Sequence, residues 1–432
     1  MDSTNHSSTD LAAALAGRAR VASRTLAAAT TAQKNAALTA LARRLRAAGG
    51  ELARASAEDV EAARAAGVRG ALLDRLLLDE KRVAALAAGV EEIVALPDPV
   101  GVIEEMVPRP SGILAGRMRV PLGVILMIYE ARPNVTVEAA ALGLKSGNAM
   151  LLRGGKEAVR ANRALIREVA AALDEAGLPQ DAALLVEDPD RSVMMALLQR
   201  RGEIDLAIPR GGAALIQTVA ENARVPVVEH YQGICHVYVE KTADLDMALD
   251  VVRNAKVQRP GVCNAAECVL VDREIAPVFL PRLAQVLTEK NVELRADAEA
   301  RALVPSMKAA TDADWDTEFL DLILAVKTVG GMEDALQFIA LHGSRHSEAI
   351  ITSNHDLAMR FVREVDASCV LVNASTRFND GGELGLGAEM GISTTKLHAY
   401  GPMGLTELTA RKWVVLGRGE IRGETHARGG RQ

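Results

Sequence analysis

The sequence predicts an α/β protein made of two doubly wound αβα domains and a small additional flap. Short apolar runs alternate with helical segments between residues 123 and 228, and the same alternation returns between residues 235 and 372. Strands that alternate with helices form parallel sheets with helices on both faces. The chain has 432 residues, which is long enough for two or three domains with a large core.

Residues 11 to about 96 carry a helical pattern and no obvious chemistry. Leu38, Leu41 and Leu45 recur at the spacing of one helix face. The pattern changes at residue 98, and the extended runs 100–107 and 116–120 are separated by prolines and a glycine, which predicts a hairpin or flap. Because a two-stranded flap is seldom stable alone, we expect it to pack against a core or a second subunit.

The first αβ series has turns at which a ligand could bind. Strands are predicted at 123–128, 149–152, 183–186, 205–208 and 225–228, and helices at 134–145, 156–176, 192–199 and 213–222. Ligands of such sheets bind at the carboxyl ends of the strands. Two of these ends carry the same tripeptide, Arg153-Gly154-Gly155 and Arg210-Gly211-Gly212.

Paired glycines let the backbone approach a phosphate closely, and the amides at a helix start favour anions. A plain helix-start turn explains one Arg-Gly-Gly equally well, but two such turns, each directly after a strand, favour a nucleotide site. The usual dinucleotide fingerprint is missing, since its nearest match, Gly385-Leu-Gly387, has Met390 at the third glycine position. A nicotinamide cofactor would therefore bind in a non-Rossmann manner.

The second αβ series contains a cysteine on a turn. Strands are predicted at 235–239, 269–271, 322–326, 349–351 and 369–372, helices at 243–257, 277–290, 332–341 and 356–365, and a final edge strand within 404–422. Cys263 directly follows Pro260-Gly261-Val262, and Lys256 and Arg259 precede it. Nearby cations lower a thiol pKa and favour the nucleophilic thiolate, so Cys263 is a candidate catalytic nucleophile. The alternative is a small core residue.

Composition narrows the function classes. A net charge of −6 does not favour nucleic acid as a partner. The four cysteines show no metal-binding spacing, so we expect no metal, and a large cysteine-poor chain suits the reducing cytoplasm. No uninterrupted apolar run reaches the length of a membrane span, so we expect no membrane partner.

Long stretches of the sequence carry a family resemblance. NAKVQRPGVCNAAE (254–267), IPRGGAALI (208–216), GICHVYVEKTADLD (233–246) and the run 120–158 resemble the gamma-glutamyl phosphate reductase family, a branch of the aldehyde dehydrogenase superfamily. The resemblance extends from about residue 11 to about residue 422. It implies an aldehyde-dehydrogenase-like fold with a cofactor-binding domain (11–106 and 120–240), a catalytic domain (241–400), an oligomerisation flap (107–119 and 401–422) and flexible ends (1–10 and 423–432).

The resemblance also implies an activity, the NADPH-dependent reduction of L-glutamyl 5-phosphate to L-glutamate 5-semialdehyde and phosphate in proline biosynthesis. Cys263 would attack the acyl phosphate, expel phosphate and form a thioester, which NADPH would reduce. The flap suggests a homo-oligomer. Glutamate 5-kinase is a plausible partner because acyl phosphates hydrolyse readily.

The resemblance assigns roles to individual residues. The backbone N–H of Cys263 and the side chain of Asn134 would stabilise an oxyanion, although Asn134 could simply cap its helix. Lys156 suggests NADP, because relatives that use NAD tend to have an acid near this position; a solvated lysine is the alternative. Glu318 would hold the nicotinamide ribose, with a surface acid as the alternative. Arg132, Lys256 and Arg259 would bind substrate anions, although Arg259 could instead form a structural ion pair.

Two histidines carry no firm assignment. Hydrolytic relatives have a glutamate base near the position of His230, with Glu229 adjacent, and the loss of that base fits a thioester that must exchange with phosphate. His346 lies in a family motif without a role that the residues reveal.

Two other functions compete with this reductase activity. The first is a hydrolytic NAD-linked aldehyde dehydrogenase, which phosphate dependence would distinguish from the reductase. The second is a catalytically idle structural protein on the same scaffold, against which Cys263 argues.

Overall fold

The computed structural model describes residues 2–228 and 232–422. These residues divide into two compact units, the first over 2–228 with 404–422 and the second over 232–403. Each unit contains a parallel sheet with helices, as the alternating pattern predicts. Within the described part of the chain, no helix is both long enough and apolar enough to cross a membrane.

The first unit begins with helices. They are α1 (Asp2–Ala27), α2 (Thr31–Ala47), α3 (Gly49–Ala65), α4 (Ala71–Leu76) and α5 (Glu80–Ala95). The helical pattern of 11–96 is therefore confirmed, and Leu38, Leu41 and Leu45 are buried together on α2. Residues 2–10 were expected to be a flexible end but belong to α1. The Ser8 hydroxyl lies 2.7 Å from that of Ser192, so this part of the helix contacts the rest of the unit.

The parallel sheet of the first unit follows. The strands β1 (Ile103–Pro108) and β2 (Leu114–Pro121) come before this sheet in the chain. The sheet and its helices are β3 (Val124–Tyr129), α6 (Asn134–Lys145), β4 (Ala149–Arg153), α7 (Val159–Glu175), β5 (Ala183–Leu185), α8 (Arg191–Leu198), β6 (Leu206–Arg210) and α9 (Ala213–Asn222). The strand order is β5-β4-β3-β6. The strand predicted at 225–228 is reduced to a single bridge between Ala207 and Val227, because Pro226 has no N–H to continue a ladder.

The second unit contains a seven-stranded sheet of order β10-β9-β11-β8-β7-β12-β13. Its elements are β7 (Cys235–Val239), α10 (Leu245–Val257), β8 (Ala266–Asp272), α11 (Ala276–Thr288), β9 (Glu293–Ala296), α12 (Ala298–Leu303), β10 (Lys308–Ala309), β11 (Ile323–Val329), α13 (Met332–His342), β12 (Ser347–Ile351), α14 (His355–Glu364), β13 (Cys369–Val372), β14 (Ile392–Ser393) and β15 (Gly401–Pro402). All neighbouring strands of the large sheet are parallel. The helix α12 and the short strands β9 and β10 were not predicted.

The chain then returns to the first unit with β16 (Thr409–Leu416). This strand pairs antiparallel with β2, and β2 pairs antiparallel with β1, so the predicted hairpin and the predicted C-terminal strand form one three-stranded sheet. The sheet exposes large apolar side chains, including Ile103, Trp413 and Val415.

Candidate active site

Cys263 lies on the turn that joins α10 to β8, as the sequence predicts. We call residues 258–265 the cysteine turn. Helix α10 ends at Val257, Pro260 prevents its continuation, and the turn closes with a hydrogen bond from the Ala265 N–H to the Val262 carbonyl. The whole of β8 is buried, so the turn is anchored to the centre of the sheet. Cys263 itself is half-buried and in no disulfide, whereas Cys235 and Cys268 are fully buried thiols.

Gly233 packs directly against the backbone of Cys263. A Cβ atom at Gly233 would lie 2.0 Å from the Cys263 carbonyl oxygen, so only glycine fits this position. Burial raises the pKa of the Glu318 carboxyl, and the nearby backbone N–H of Gly233 opposes the rise. The structure therefore brings Glu318 beside the cysteine turn and half-buries it, which argues against an ordinary surface acid.

A second segment, residues 376–379, holds the cysteine turn in place through hydrogen bonds with Asn264. The Thr376 hydroxyl donates to the Asn264 carbonyl at 2.7 Å, and the Asn264 amide donates to the Asn379 carbonyl at 3.0 Å. Asn379 is fully buried and donates in turn to the Ser347 hydroxyl at 2.8 Å. Bonds of this kind fix the backbone around the thiol, which is the preorganisation that a nucleophile needs.

Lys256 requires a correction. Its ammonium lies 2.6 Å from the Glu267 carboxylate, and both side chains are completely buried. Burial lowers the pKa of Lys256, and burial raises the pKa of Glu267 to about 7. Lys256 is therefore a structural ion-pair partner that joins α10 to β8 and not an accessible ligand for a substrate anion.

Arg259 is exposed and makes no ion pair with a described carboxylate, so the structural alternative is not observed. Sequence reasoning missed a second arginine near it. Arg377 is half-buried, and its Nε donates to the side-chain amide oxygen, Oε1, of Gln258 at 2.8 Å. Its position far along the chain hid it, since no local pattern links it to the cysteine turn.

His346 belongs to a buried polar layer beneath the cysteine turn. The Cys235 thiol donates to the Cys263 carbonyl at 3.2 Å and lies 3.6 Å from His346 Nδ1. His346 Nδ1 is 2.7 Å from the Ser347 hydroxyl. Burial raises the pKa of Cys235, so this thiol stays protonated as a donor. Glu229 and His230 lie outside the described residues.

In the first unit, the two Arg-Gly-Gly turns flank the end of β3. Arg153 pairs with Ile128 and Arg210 pairs with Tyr129, so both turns meet the segment that follows β3. At the first turn, the Arg153 guanidinium donates to the Pro189 carbonyl at 2.8 Å, but its buried Nε has no partner. Lys156 is exposed and, within the part of the chain that the structure describes, has no carboxylate partner. Gly154 and Gly155 lie between these two cations. The Glu157 carboxylate also approaches this turn, since a Cβ atom at Gly155 would lie 2.6 Å from Glu157 Oε2.

The second turn does not fit a phosphate. The Gly212 N–H, at the start of α9, donates to the Glu130 carboxylate at 2.9 Å. A Cβ atom at Gly211 would lie 2.6 Å from the carboxyl carbon of Glu130. The carboxylate therefore already occupies the position of the expected anion at Arg210-Gly211-Gly212.

Arg132 lies between β3 and α6, and Asn134 is the first residue of α6. The Asn134 amide donates to the Glu138 carboxylate at 2.9 Å, while Pro133 occupies the N-cap position without a side-chain cap. The helix-capping alternative for Asn134 is therefore not observed. Arg132 is half-buried in the same segment.

Comparison with known proteins identifies the family. The pattern described as "Aldehyde dehydrogenase family" matches residues 2–311. Gamma-glutamyl phosphate reductase of Sorangium cellulosum is 58% identical, over 95% of this chain and 97% of that one. The chain belongs to the aldehyde dehydrogenase family, in its gamma-glutamyl phosphate reductase branch.

Other members of this family extend the comparison. Gamma-glutamyl phosphate reductase of Meiothermus ruber is 55% identical, over 95% of this chain and 98% of that one. The crystal structure of gamma-glutamyl phosphate reductase from Thermotoga maritima superposes with a TM-score of 0.93 at 45% identity, covering 95% of this chain and 99% of that chain. An acetylating aldehyde dehydrogenase from Geobacillus thermoglucosidasius, at 16% identity and a TM-score of 0.70 over 98% of this chain and 100% of that chain, shares the fold. The predicted aldehyde-dehydrogenase-like fold and the predicted family are confirmed.

Proposed function

We propose that the chain reduces L-glutamyl 5-phosphate to L-glutamate 5-semialdehyde and phosphate, a step of proline biosynthesis. One observation carries the proposal: a half-exposed cysteine stands on a clamped turn in a chain that is 58% identical to a gamma-glutamyl phosphate reductase. A thiolate at this position is suited to split an acyl phosphate in two easier steps.

The proposed steps use the side chain of Cys263. Its thiolate attacks the acyl carbon, a C–S bond forms, and the C–O bond to phosphate breaks with its electron pair leaving on phosphate. The backbone N–H of Cys263 and the amide of Asn134 are the proposed donors to the oxyanion. A bound nicotinamide cofactor supplies the hydride that reduces the thioester carbonyl. Release of the aldehyde then restores the Cys263 thiolate.

The residues proposed to hold the cofactor are Arg153, Gly154, Gly155 and Lys156 for its phosphates and Glu318 for its nicotinamide ribose. The two cations of the first turn support NADP over NAD, because a 2′-phosphate adds negative charge. Arg210-Gly211-Gly212 is left out of this proposal, since Glu130 occupies its amide.

We also retain the wider assignments as proposals. The first unit would bind the cofactor, the second would carry the chemistry, and the three-stranded sheet with its exposed apolar side chains would contact a second copy of the chain. The cytoplasm is the proposed location, and glutamate 5-kinase, which makes the labile acyl phosphate, is the proposed partner. Arg132 remains a proposed ligand of substrate anions.

The test is the reverse reaction with glutamate semialdehyde. We expect NADP reduction that requires inorganic phosphate, and NAD run beside it should be the poorer acceptor. Cys263→Ala should lower turnover about 1000-fold or more with the fold intact. Cys369→Ala, which alters another half-buried thiol, is the matched control and should keep normal turnover. Sustained turnover without phosphate would instead support a hydrolytic aldehyde dehydrogenase, and normal activity of the Cys263 variant would refute the mechanism.

A further inference from the structure

Two arginines lie near Cys263: Arg259 belongs to the cysteine turn, and Arg377 contacts this turn through Gln258. Neither guanidinium has an ion-pair partner among the described carboxylates. The nearest candidate on the same segment, Asp380, is instead engaged by the backbone N–H groups of Gly382, at 3.0 Å, and Glu383, at 3.4 Å. Asp380 is near enough to raise the pKa of Arg377, but it forms no ion pair with either guanidinium. Because the two cations repel each other, a bound anion would stabilise them further.

Hydrogen bonds at both ends fix the place of Arg377. Its backbone belongs to the segment that clamps Asn264, directly after Thr376, whose hydroxyl donates to the Asn264 carbonyl at 2.7 Å. The Nε of its guanidinium donates to the side-chain Oε1 of Gln258 at 2.8 Å. Residue 264 follows the nucleophile and residue 258 precedes Arg259. The Arg377 side chain therefore lies along the part of the turn that carries both Arg259 and Cys263.

The charges agree with this placement. Burial lowers the pKa of Arg377, and the positive charge of Arg259 lowers it further. Asp380 and the thiols of Cys263 and Cys235 act in the opposite direction. Each of these groups is therefore close enough to Arg377 to affect its pKa, and its charge remains positive because arginine stays protonated in proteins.

We propose that Arg377, together with Arg259, binds the phosphate group that leaves the substrate when Cys263 attacks. This rests on the proposed function and adds the site of the phosphate to it. A planar guanidinium matches phosphate oxygens bidentately, and two guanidiniums suit a dianion better than a single carboxylate. Lys256, the other cation of this stretch, is buried in its ion pair and is not available.

The proposed role is the same in both directions. In the forward step the C–O bond to phosphorus breaks and the electron pair stays on the phosphate oxygen, whose added charge the two arginines stabilise. In the reverse step they hold inorganic phosphate while one of its oxygens attacks the thioester carbonyl and the Cys263 sulfur leaves with the C–S electron pair. In the semialdehyde-oxidising direction the thioester forms by hydride transfer before phosphate attacks it. In this direction, Arg377 should therefore act on the phosphate step and not on thioester formation.

The decisive variant is Arg377→Met, assayed in the semialdehyde-oxidising direction. We expect the KM for inorganic phosphate to rise about 10- to 100-fold, the usual consequence of losing a charged hydrogen bond. The initial burst of NADPH formed without phosphate, which reports thioester formation, should stay within about 3-fold of the parent. Arg377→Lys keeps the positive charge but loses the planar, bidentate guanidinium. Its KM for phosphate should lie between the values of the parent and of Arg377→Met.

The matched control is Arg273→Met, since Arg273 lies just beyond the opposite end of β8 and pairs with Glu299 at the surface. Its KM for phosphate should not change. A second readout avoids turnover: inorganic phosphate should raise the melting temperature of the parent and of the Arg273 variant, and not that of Arg377→Met.

The outcomes are distinct. A raised KM for semialdehyde with an unchanged KM for phosphate would assign Arg377 to the substrate carboxylate and overturn the proposal. An unchanged KM for both would overturn it as well. If Arg377→Met does not fold, the KM for phosphate of Arg377→Lys decides, and a parental value refutes the proposal. Failure of the proposed function would look different, because the parent itself would then show no phosphate-dependent turnover.

Discussion

The cations on the two sides of the cysteine turn differ in whether they form an ion pair with a carboxylate. On the buried side, Lys256 is enclosed with Glu267 at 2.6 Å. On the other side, Arg259 and Arg377 have no ion-pair partner among the described carboxylates. Lys256 and Arg259 are only three residues apart in the sequence. The difference teaches that a cation near a nucleophile is a ligand candidate only where the fold leaves its charge uncompensated.

The largest effect should come from the buried pair. Lys256→Met would leave the Glu267 carboxyl buried without its cation, and we expect a loss of about 3–5 kcal/mol in the free energy of unfolding, measured by urea titration. The double variant Lys256→Met with Glu267→Met removes both charges and should recover much of this loss. If the single variant were as stable as the parent and only substrate binding suffered, Lys256 would belong with the uncompensated arginines.

Sequence reasoning predicted the regular elements well and the cations poorly. The helices at 134–145 and 213–222 have the predicted bounds, because Pro133 and Gly212 mark their starts. The strand β3 is recognisable because all six of its residues are apolar or aromatic and fully buried. The segment 293–309 was missed, because its strands are only four and two residues long and include charged side chains.

The fate of the charged residues depends on contacts that sequence spacing does not contain. Lys256 is buried because Glu267 comes opposite it from the next strand. The Gly212 amide is unavailable because Glu130 reaches it from the end of another strand, although both Arg-Gly-Gly turns read identically in the sequence. Arg377 contacts the cysteine turn at Asn264 and Gln258, and no periodic pattern predicts such contacts.

Lys156 extends the comparison to the first unit, because it is exposed and without a described carboxylate partner. Lys156→Glu places an acid where the 2′-phosphate of NADP is proposed to bind, so the Kd for NADPH should rise about 10-fold or more, with little change for NADH. Fluorescence titration measures both, and the melting temperature should not change. Lys81→Glu, a charge reversal at another exposed lysine of this unit, serves as the control. An equal rise in the Kd for NADPH and for NADH would mean that Lys156 does not bind the 2′-phosphate.

The smallest effect concerns the protonation of the buried pair. The folded-state pKa of Glu267, about 7, lies above the ordinary value of 4.5, so the folded protein holds a proton that the unfolded chain has lost between these two values. The stability from this group is therefore complete below about pH 4.5 and is lost as the pH rises through about 7. One group can change the free energy of unfolding by at most about 1.4 kcal/mol per pH unit.

Glu267→Gln isolates this contribution, because glutamine cannot titrate. Most other titratable groups contribute equally to the pH dependence of unfolding in the parent and in the variant. Between pH 5 and pH 7, the parent should lose stability relative to the variant, with a slope that stays below about 1.4 kcal/mol per pH unit. The lowered pKa of Lys256 acts in the opposite sense at higher pH, where the parent should regain stability as the unfolded lysine also loses its proton. Parallel pH curves for the two proteins would show that the pair stays ionic throughout. Burial would then not have raised the pKa of Glu267. Lys256 would differ from Arg259 and Arg377 only in being inaccessible to a ligand.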